Sequence, residues 1–383
     1  MTTLKNYGWD DFFEVNFKNN GYLEFGYQPA RITKETKNLY FIMTKDGEAK
    51  AINSNKFFLS TFSRDQLPVV GDWVVVHKPV NNENYFIEGV LERRTRLVRK
   101  GKDTFGRNFV KAGDSSVSVI SANIDTVFYV ASLDYRDFNL SKIERYILML
   151  HDSGAKPVLI LNKKDICPDY LDYIEKLKKI SGDIPIHAVS AVDFDGIEEL
   201  LDYISEGKTV SFIGSSGVGK SSIVNALMGE DKMYVSRIRE ADKRGRHTTT
   251  HREMILFPEG GVLIDNPGIR DLKPVSSSDA LDATFEDITD LESQCRFSDC
   301  KHNNEPGCAI IKALESGELS VKRYENYLTL KREADFFERR AKMREHFLEK
   351  AAVNEKKGGK KIKNHMKGRK KRDKYFDSTE YSL

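Results

Sequence analysis

Long apolar runs are what this sequence most plainly lacks. No segment of its 383 residues approaches the roughly 20 consecutive apolar residues that a bilayer-spanning helix needs. Residues 1–25 mix Asp10, Asp11, Glu14, Lys18 and several asparagines among their aromatics, so an apolar signal-peptide core is missing too. Both absences point to a cytoplasmic protein. Cysteine is scarce, with four in the chain, and three of those fall between positions 295 and 308. These cysteines do not read as a disulfide framework, and one disulfide plus a buried cysteine is the alternative to metal ligation. What remains is 39% hydrophobic and 31% charged, the composition of a soluble chain long enough for two or three domains.

Charge is unevenly placed behind a net value of +3. Residues 356–374 hold eleven Lys or Arg against one acid, Asp373, which leaves the rest of the chain net acidic. A basic tail on an acidic body suits a polyanionic partner, because Lys and Arg beside a nucleic-acid backbone release condensed counterions. A disordered solubilising tail is the plainer alternative.

Glycine clusters where backbone must approach a ligand. Gly214-Ser215-Ser216-Gly217-Val218-Gly219-Lys220-Ser221-Ser222 follows the apolar run Thr209-Val210-Ser211-Phe212-Ile213. Such a loop points N–H groups at phosphate oxygens with no side chain in the way, and the following helix adds its dipole. Lys220 would neutralise the β and γ phosphates, a catalytic contribution, and the Ser221 hydroxyl would ligate Mg2+. A second apolar run, Pro157-Val158-Leu159-Ile160-Leu161, leads into Asn162-Lys163-Lys164-Asp165. The Asp165 carboxylate can accept from two guanine N–H donors, whereas adenine offers an acceptor and a bare carbon there. GTP or GDP is therefore expected over ATP. Asn162 would brace the neighbouring loops, the Lys163 stem would pack on the base, and the backbone at Ser190-Ala191 would meet the guanine oxygen. Asp265-Asn266-Pro267-Gly268 comes last; there Asp265 would hold Mg2+ through water and the Gly268 amide would contact the γ-phosphate.

One residue type is absent from the place where many GTPases use it. After Gly268 stands Ile269, not the glutamine that orients the attacking water, so slow intrinsic hydrolysis is expected. Between the phosphate loop and Asp265 runs Arg244-Gly245-Arg246-His247-Thr248-Thr249-Thr250-His251, suited to a switch loop. Thr249 or Thr250 would reach Mg2+. His247 is the candidate for positioning water once a partner orders the loop, the alternative being an exposed switch residue.

Cys295, Cys300, His302 and Cys308 form C-x4-C-x-H-x5-C, three thiolates and an imidazole that supply the closed tetrahedral set of one structural Zn2+. Cys167 stands alone and reads as a thiol without a role.

Residues 22–99 carry short β-rich runs broken by turn signals and end in the basic run Arg93-Arg94-Thr95-Arg96, Arg99-Lys100. A small barrel of about five strands follows, oligonucleotide-binding or SH3-like, which pattern alone does not separate. A polar linker at 101–116 gives way to alternating strand and helix, with motifs at strand ends as a doubly wound parallel sheet requires. Residues 320–352 suggest one or two long helices whose cations, Arg323 and Lys331 among them, face solvent or RNA.

The order of these motifs is unusual: the base-reading segment precedes the phosphate loop, as in a circularly permuted GTPase. Permutation followed by this cysteine spacing resembles the RsgA/YjeQ family over about residues 20–345. The resemblance implies an N-terminal OB-fold barrel, a central circularly permuted α/β P-loop GTPase domain and a C-terminal α-helical zinc-binding domain. It also implies GTP hydrolysis stimulated by the small ribosomal subunit in late maturation, rRNA contacts through the flanking domains, and release when the subunit is mature. Asn266, where the family more often has Thr, is a departure. Expected boundaries are 1–112 for barrel and linker, 113–275 for the GTPase domain, 276–350 for the zinc domain and 351–383 for a disordered basic tail. The expected chain is a monomer with no membrane partner. Permutation also places the Asp265 switch just before the zinc module, which hydrolysis would then move against the barrel. Two other readings remain open on the residues alone: an ATP-using P-loop enzyme and a non-catalytic, nucleotide-regulated RNA-binding protein.

Overall fold

Short runs rich in β-branched and aromatic residues, bounded by turns, build the strands of the N-terminal barrel. In the computed structural model, which describes residues 4–36, 39–61, 64–100, 117–134, 138–229, 252–258, 260–266, 277–339 and 342–343, these runs become β1 (Gln28–Thr36), β2 (Leu39–Thr44), β3 (Gly47–Asn53), β4 (Trp73–His77) and β5 (Tyr85–Val90). They bond in the order β1-β2-β3-β5-β4, and β4 pairs back onto β1 to close a barrel. The β3–β5 ladder is parallel and the others antiparallel. That is the five-stranded oligonucleotide-binding architecture, which decides between the two barrels the pattern left open. Ala30, Ile32, Ile42, Val74, Val76 and Ile87 fill its interior.

Ahead of the barrel lies α1 (Asp11–Asn19), capped by Asp10, whose carboxylate accepts from the Phe12 and Phe13 amides. Its Phe13 and Phe17 bury against Trp73 together with Trp9. A short α2 (Asn55–Ser60) follows β3.

Arg31 fastens the barrel to what comes next. It is 1% exposed, and its guanidinium donates to the carbonyls of Tyr7, Gly71 and Asn123. Burial brings it down to about 10, still charged at neutral pH. The basic run expected to face nucleic acid is partly spent on the fold. Arg93 grips Asp72 in a two-pronged pair at 2.8 and 2.7 Å, and Arg94 pairs with Asp10 at 2.6 Å over the rings of Phe12 and Phe13. Arg96 and Arg99 remain exposed.

A two-stranded ladder, β6 (Arg96–Lys100) with β7 (Val117–Ala122), precedes the nucleotide domain. Here β8 (Thr126–Ser132), β9 (Lys156–Asn162), β10 (Ile186–Val189), β11 (Thr209–Ile213), β12 (Glu253–Leu256) and β13 (Val262–Asp265) take the order β10-β9-β8-β11-β13-β12. All are parallel except β12. Packed with this sheet are α3 (Leu140–Ser153), α4 (Tyr170–Ser181) and α5 (Lys220–Met228). Asn139 caps α3 through the Lys142 amide, and Gly154 ends it in the left-handed region at φ 74°. At the far edge β12 pairs with β1, Lys34 opposite Glu253, so barrel and nucleotide domain share one hydrogen-bonded sheet.

The C-terminal module comprises α6 (Ser278–Thr284), α7 (Glu286–Ser293), α8 (Ala309–Ser316) and α9, residues 321–339. Phe285, Ile288, Ile310, Leu319, Tyr327 and Leu330 make its core, and Leu148 of α3 enters the same cluster. Arg323 corrects the reading of a solvated or RNA-facing cation. Its side chain is 11% exposed and ion-paired to Glu144 and Asp287. Lys331 bonds Glu292 and Tyr327 but keeps 41% of its side chain exposed, as a solvated cation should. Among the described residues, no helix is long and apolar enough to cross a membrane.

Candidate functional site

The phosphate loop leaves β11 at Gly214, whose φ is 143° and where a Cβ would collide with the Val130 carbonyl. Only glycine fits so close an approach to β8. At the other end Gly219, with φ 95°, caps α5 and accepts from the Ile223 amide at 3.0 Å. Between these lie Ser215, Ser216, Gly217 and Val218, with Lys220, Ser221 and Ser222 forming the first turn of α5. The Lys220 ammonium folds back over the loop and donates to the carbonyls of Gly214 at 2.8 Å and Ser215 at 2.6 Å.

β9 delivers Asn162-Lys163-Lys164-Asp165 to the same place. Asn162, 2% exposed, donates from Nδ2 to the Val218 carbonyl at 2.8 Å and accepts at Oδ1 from the Ala191 amide at 3.3 Å. One side chain thus ties the phosphate loop to the Ser190-Ala191 loop. Lys163 then turns the chain at φ 70°, and its ammonium pairs with Asp134 at 2.7 Å. Lys164 pairs with Asp195 at 2.7 Å and lies over the Tyr170 ring. Asp165 accepts at Oδ1 from the Ser190 hydroxyl at 2.9 Å, which leaves Oδ2 outside that bond.

Asp265 ends β13, the parallel neighbour of β11, so it and the loop emerge at the same sheet edge. Asn266 is buried; its amide donates to the hydroxyls of Ser121 at 3.1 Å and Ser211 at 2.9 Å. Those contacts give this position a reason to carry a side-chain donor. His247, Thr249, Thr250 and Gly268 lie outside the described residues, as do Ile269 and the basic tail. Sequence reasoning missed Lys142, which reaches Ser215, and the carboxylates Asp134 and Asp195 that hold the two lysines of the base-reading segment.

A second constellation sits between α7 and α8. One donor atom from each of Cys295, Cys300, His302 and Cys308 lies within 4.8 Å of all the others. Cys295 Sγ is 3.6 Å from His302 Nδ1 and 4.0 Å from Cys308 Sγ, and His302 Nδ1 is 3.3 Å from Cys308 Sγ. A tetrahedral ion with sulfur bonds of about 2.3 Å sets sulfurs about 3.8 Å apart, so this set can hold one metal ion. Positive φ at His302, Asn304 and Gly307 lets the loop curl this tightly. Burial pulls the Cys295 thiol up, but the amides of Ala309 and Ile310 and the neighbouring thiols outweigh it, leaving Cys295 below the ordinary thiol range. Glu292 approaches His302 Nε2 at 3.6 Å and also takes bonds from Tyr327 and Lys331, the outer support typical of a ligating imidazole. All four cysteines are free, and Cys167 is buried.

Comparison with known proteins identifies the family. The profile of the RsgA GTPase family matches residues 90–274. Small ribosomal subunit biogenesis GTPase RsgA 1 of Oceanobacillus iheyensis is 39% identical over 87% of this chain and 91% of its own length. The protein named small ribosomal subunit biogenesis GTPase RsgA in Methanosarcina acetivorans is 37% identical over 91% of this chain and 90% of its own. Among solved structures, YjeQ from Thermotoga maritima superposes with a TM-score of 0.58 at 29% identity, covering 80% of this chain and 98% of that one. YloQ, a circularly permuted GTPase, gives 0.55 at 22% identity over 81% and 95%, a likeness of fold. With its motif order, its barrel and its cysteine cluster in these places, the chain belongs to the RsgA family of GTPases.

Proposed function

We propose that this protein is a cytoplasmic, monomeric GTPase of small-subunit maturation, binding rRNA through its barrel (1–112) and its zinc module (276–350) and hydrolysing GTP in the domain between (113–275). The observation that carries the nucleotide reading is Asn162, bonded at once to the phosphate loop and to the Ser190-Ala191 loop. One amide thereby sets the distance between base pocket and phosphate cradle. The base would lie on Asp165, with Lys163 and Lys164 held open around it by their carboxylate partners. Phosphates would lie on the amides of residues 214–222 and on Lys220. Mg2+ bound with the nucleotide would take Ser221, Asp265 and Thr249 or Thr250. His247 would position water, which Ile269 cannot do. Zn2+ is the ion the thiolate-rich set favours.

The ribosomal part of this reading is supported by the names of the relatives, 37–39% identical over most of the chain. Multiple-turnover GTP hydrolysis, measured with and without purified small subunits and against an excess of ATP, is the direct test. Turnover that rises with subunits and ignores ATP is expected; turnover indifferent to subunits would remove the ribosomal reading. Ile269 favours one rival, a non-catalytic RNA-binding protein governed by nucleotide. Absence of any GTP cleavage in a single-turnover experiment with subunits present would establish that rival instead.

A further inference from the structure

Two lysines from separate parts of the chain converge on one residue of the phosphate loop. Lys220 donates to the Ser215 carbonyl at 2.6 Å, and Lys142, in the first turn of α3, donates to the Ser215 hydroxyl at 2.5 Å. The P-loop lysine belongs at the β and γ phosphates, so an ammonium that meets the same residue stands at that end of the cradle. Two ammonium donors are thereby brought to the loop that would cradle a polyphosphate.

Lys142 is also presented from a fixed base. Asn139 caps the helix through the Lys142 amide, and Phe138 sits edge-on to Tyr173 with centroids 4.7 Å apart. Two and three residues further on, Glu144 bonds Arg323 and Asn326, and Arg145 bonds Glu333 at 2.8 and 3.1 Å. An ordinary surface lysine spends its rotamer freedom when it binds; this one starts from a backbone anchored on both sides.

We propose that Lys142 is a specificity-determining residue of the nucleotide site, a second cation that contacts the outermost phosphate and makes the protein prefer the triphosphate to the diphosphate. The proposal rests on the reading of residues 214–222 as a guanine-nucleotide cradle. GTP carries one phosphate more than GDP, and a contact to that group strengthens GTP binding without strengthening GDP binding.

Lys142→Met keeps the stem and removes the charge; Lys142→Arg keeps the charge. Affinities of the full-length protein for a fluorescent non-hydrolysable GTP analogue and for fluorescent GDP would be measured with Mg2+ present. Methionine should weaken the triphosphate by about tenfold or more, the loss of one charge-assisted hydrogen bond, and leave GDP nearly unchanged, with arginine restoring most of the loss. Unaltered GDP binding also shows that the variant is folded. Equal losses for both nucleotides, or no loss, would overturn the role of Lys142 while leaving the cradle intact. Failure of the unmodified protein to bind either nucleotide would bring down the cradle and this role together.

Discussion

Glu144 and Arg323, 179 residues apart in the chain, meet at 2.6 Å where the carboxylate is 2% exposed. Arg323 also takes Asp287 and lies over the Phe285 ring, so the guanidinium is bonded from the nucleotide domain and the metal module at once. Removing one partner of a buried pair strands the other. Arg323→Ala should therefore cost about 3–5 kcal/mol in chemical denaturation, while Glu144→Leu combined with Arg323→Met should recover most of it. A single-variant loss below about 1 kcal/mol, the value of a surface pair, would show that the contact does not hold the module.

Gly219→Ala strikes the brace between the loops. The position has φ 95°, and its new Cβ would run into the Asn162 amide. Backbone strain alone is worth about 1–2 kcal/mol, and displacing Asn162 should abolish GTP binding. Nucleotide titration checks this, and near-normal affinity would mean that Asn162 is not what spaces the two loops.

Base selection is predicted to move with one atom pair. Asp165→Asn turns a double acceptor into one acceptor and one donor, which matches the N–H and carbonyl edge of xanthine. GTP affinity should fall by roughly a hundredfold, the loss of a bond to a charged group, and xanthosine triphosphate should gain. Competition between the two nucleotides reads it directly; an unchanged preference would place the base elsewhere.

For the metal set, elemental analysis should find one zinc per chain. A strong chelator, or Cys308→Ser, should melt the region around α8, because structural zinc binding contributes on the order of 10 kcal/mol to such modules. Helicity lost on chelation and regained with zinc is the expected result. A chelated protein with unaltered far-ultraviolet dichroism would leave the four residues without a structural ion.

His247→Ala is expected to remove subunit-stimulated turnover with little effect on nucleotide affinity. Stimulated rates equal to those of the unmodified protein would make His247 an exposed residue of the switch loop.

The parts of this protein that could be read from sequence are those built by local rules. Gly214 and Gly219 announce the phosphate loop because close backbone approach admits no other residue, and Val158 to Leu161 announce β9 because a strand buried on both faces reads as an unbroken apolar run. Cys295 to Cys308 are legible since all four donors fall within one loop. Long-range pairings leave no such trace. Nothing near Lys142 points to Ser215, 73 residues on, and nothing in the charged spacing around Arg323 separates a cation on Glu144 from one in water. Arg93 shows the same limit: in sequence it belongs to a basic run, and in the fold it is the partner of buried Asp72. The α1 helix escaped notice because only Phe13 and Phe17 of its nine residues are buried, too short an apolar stripe to show a helical period.

The seam at β12 has a mechanical consequence. Lys34 and Glu253 pair at 2.7 Å, Arg252 and Glu35 at 3.6 Å, and the Glu35 amide donates to the Arg252 carbonyl, all within two consecutive residues on each side. Among the described residues β12 is also the first strand after the threonine-rich segment, so a displacement at that segment's exit would reach the barrel through this seam. Because Arg31 and a shared apolar core hold the same two bodies together, the barrel would receive such a displacement as a whole.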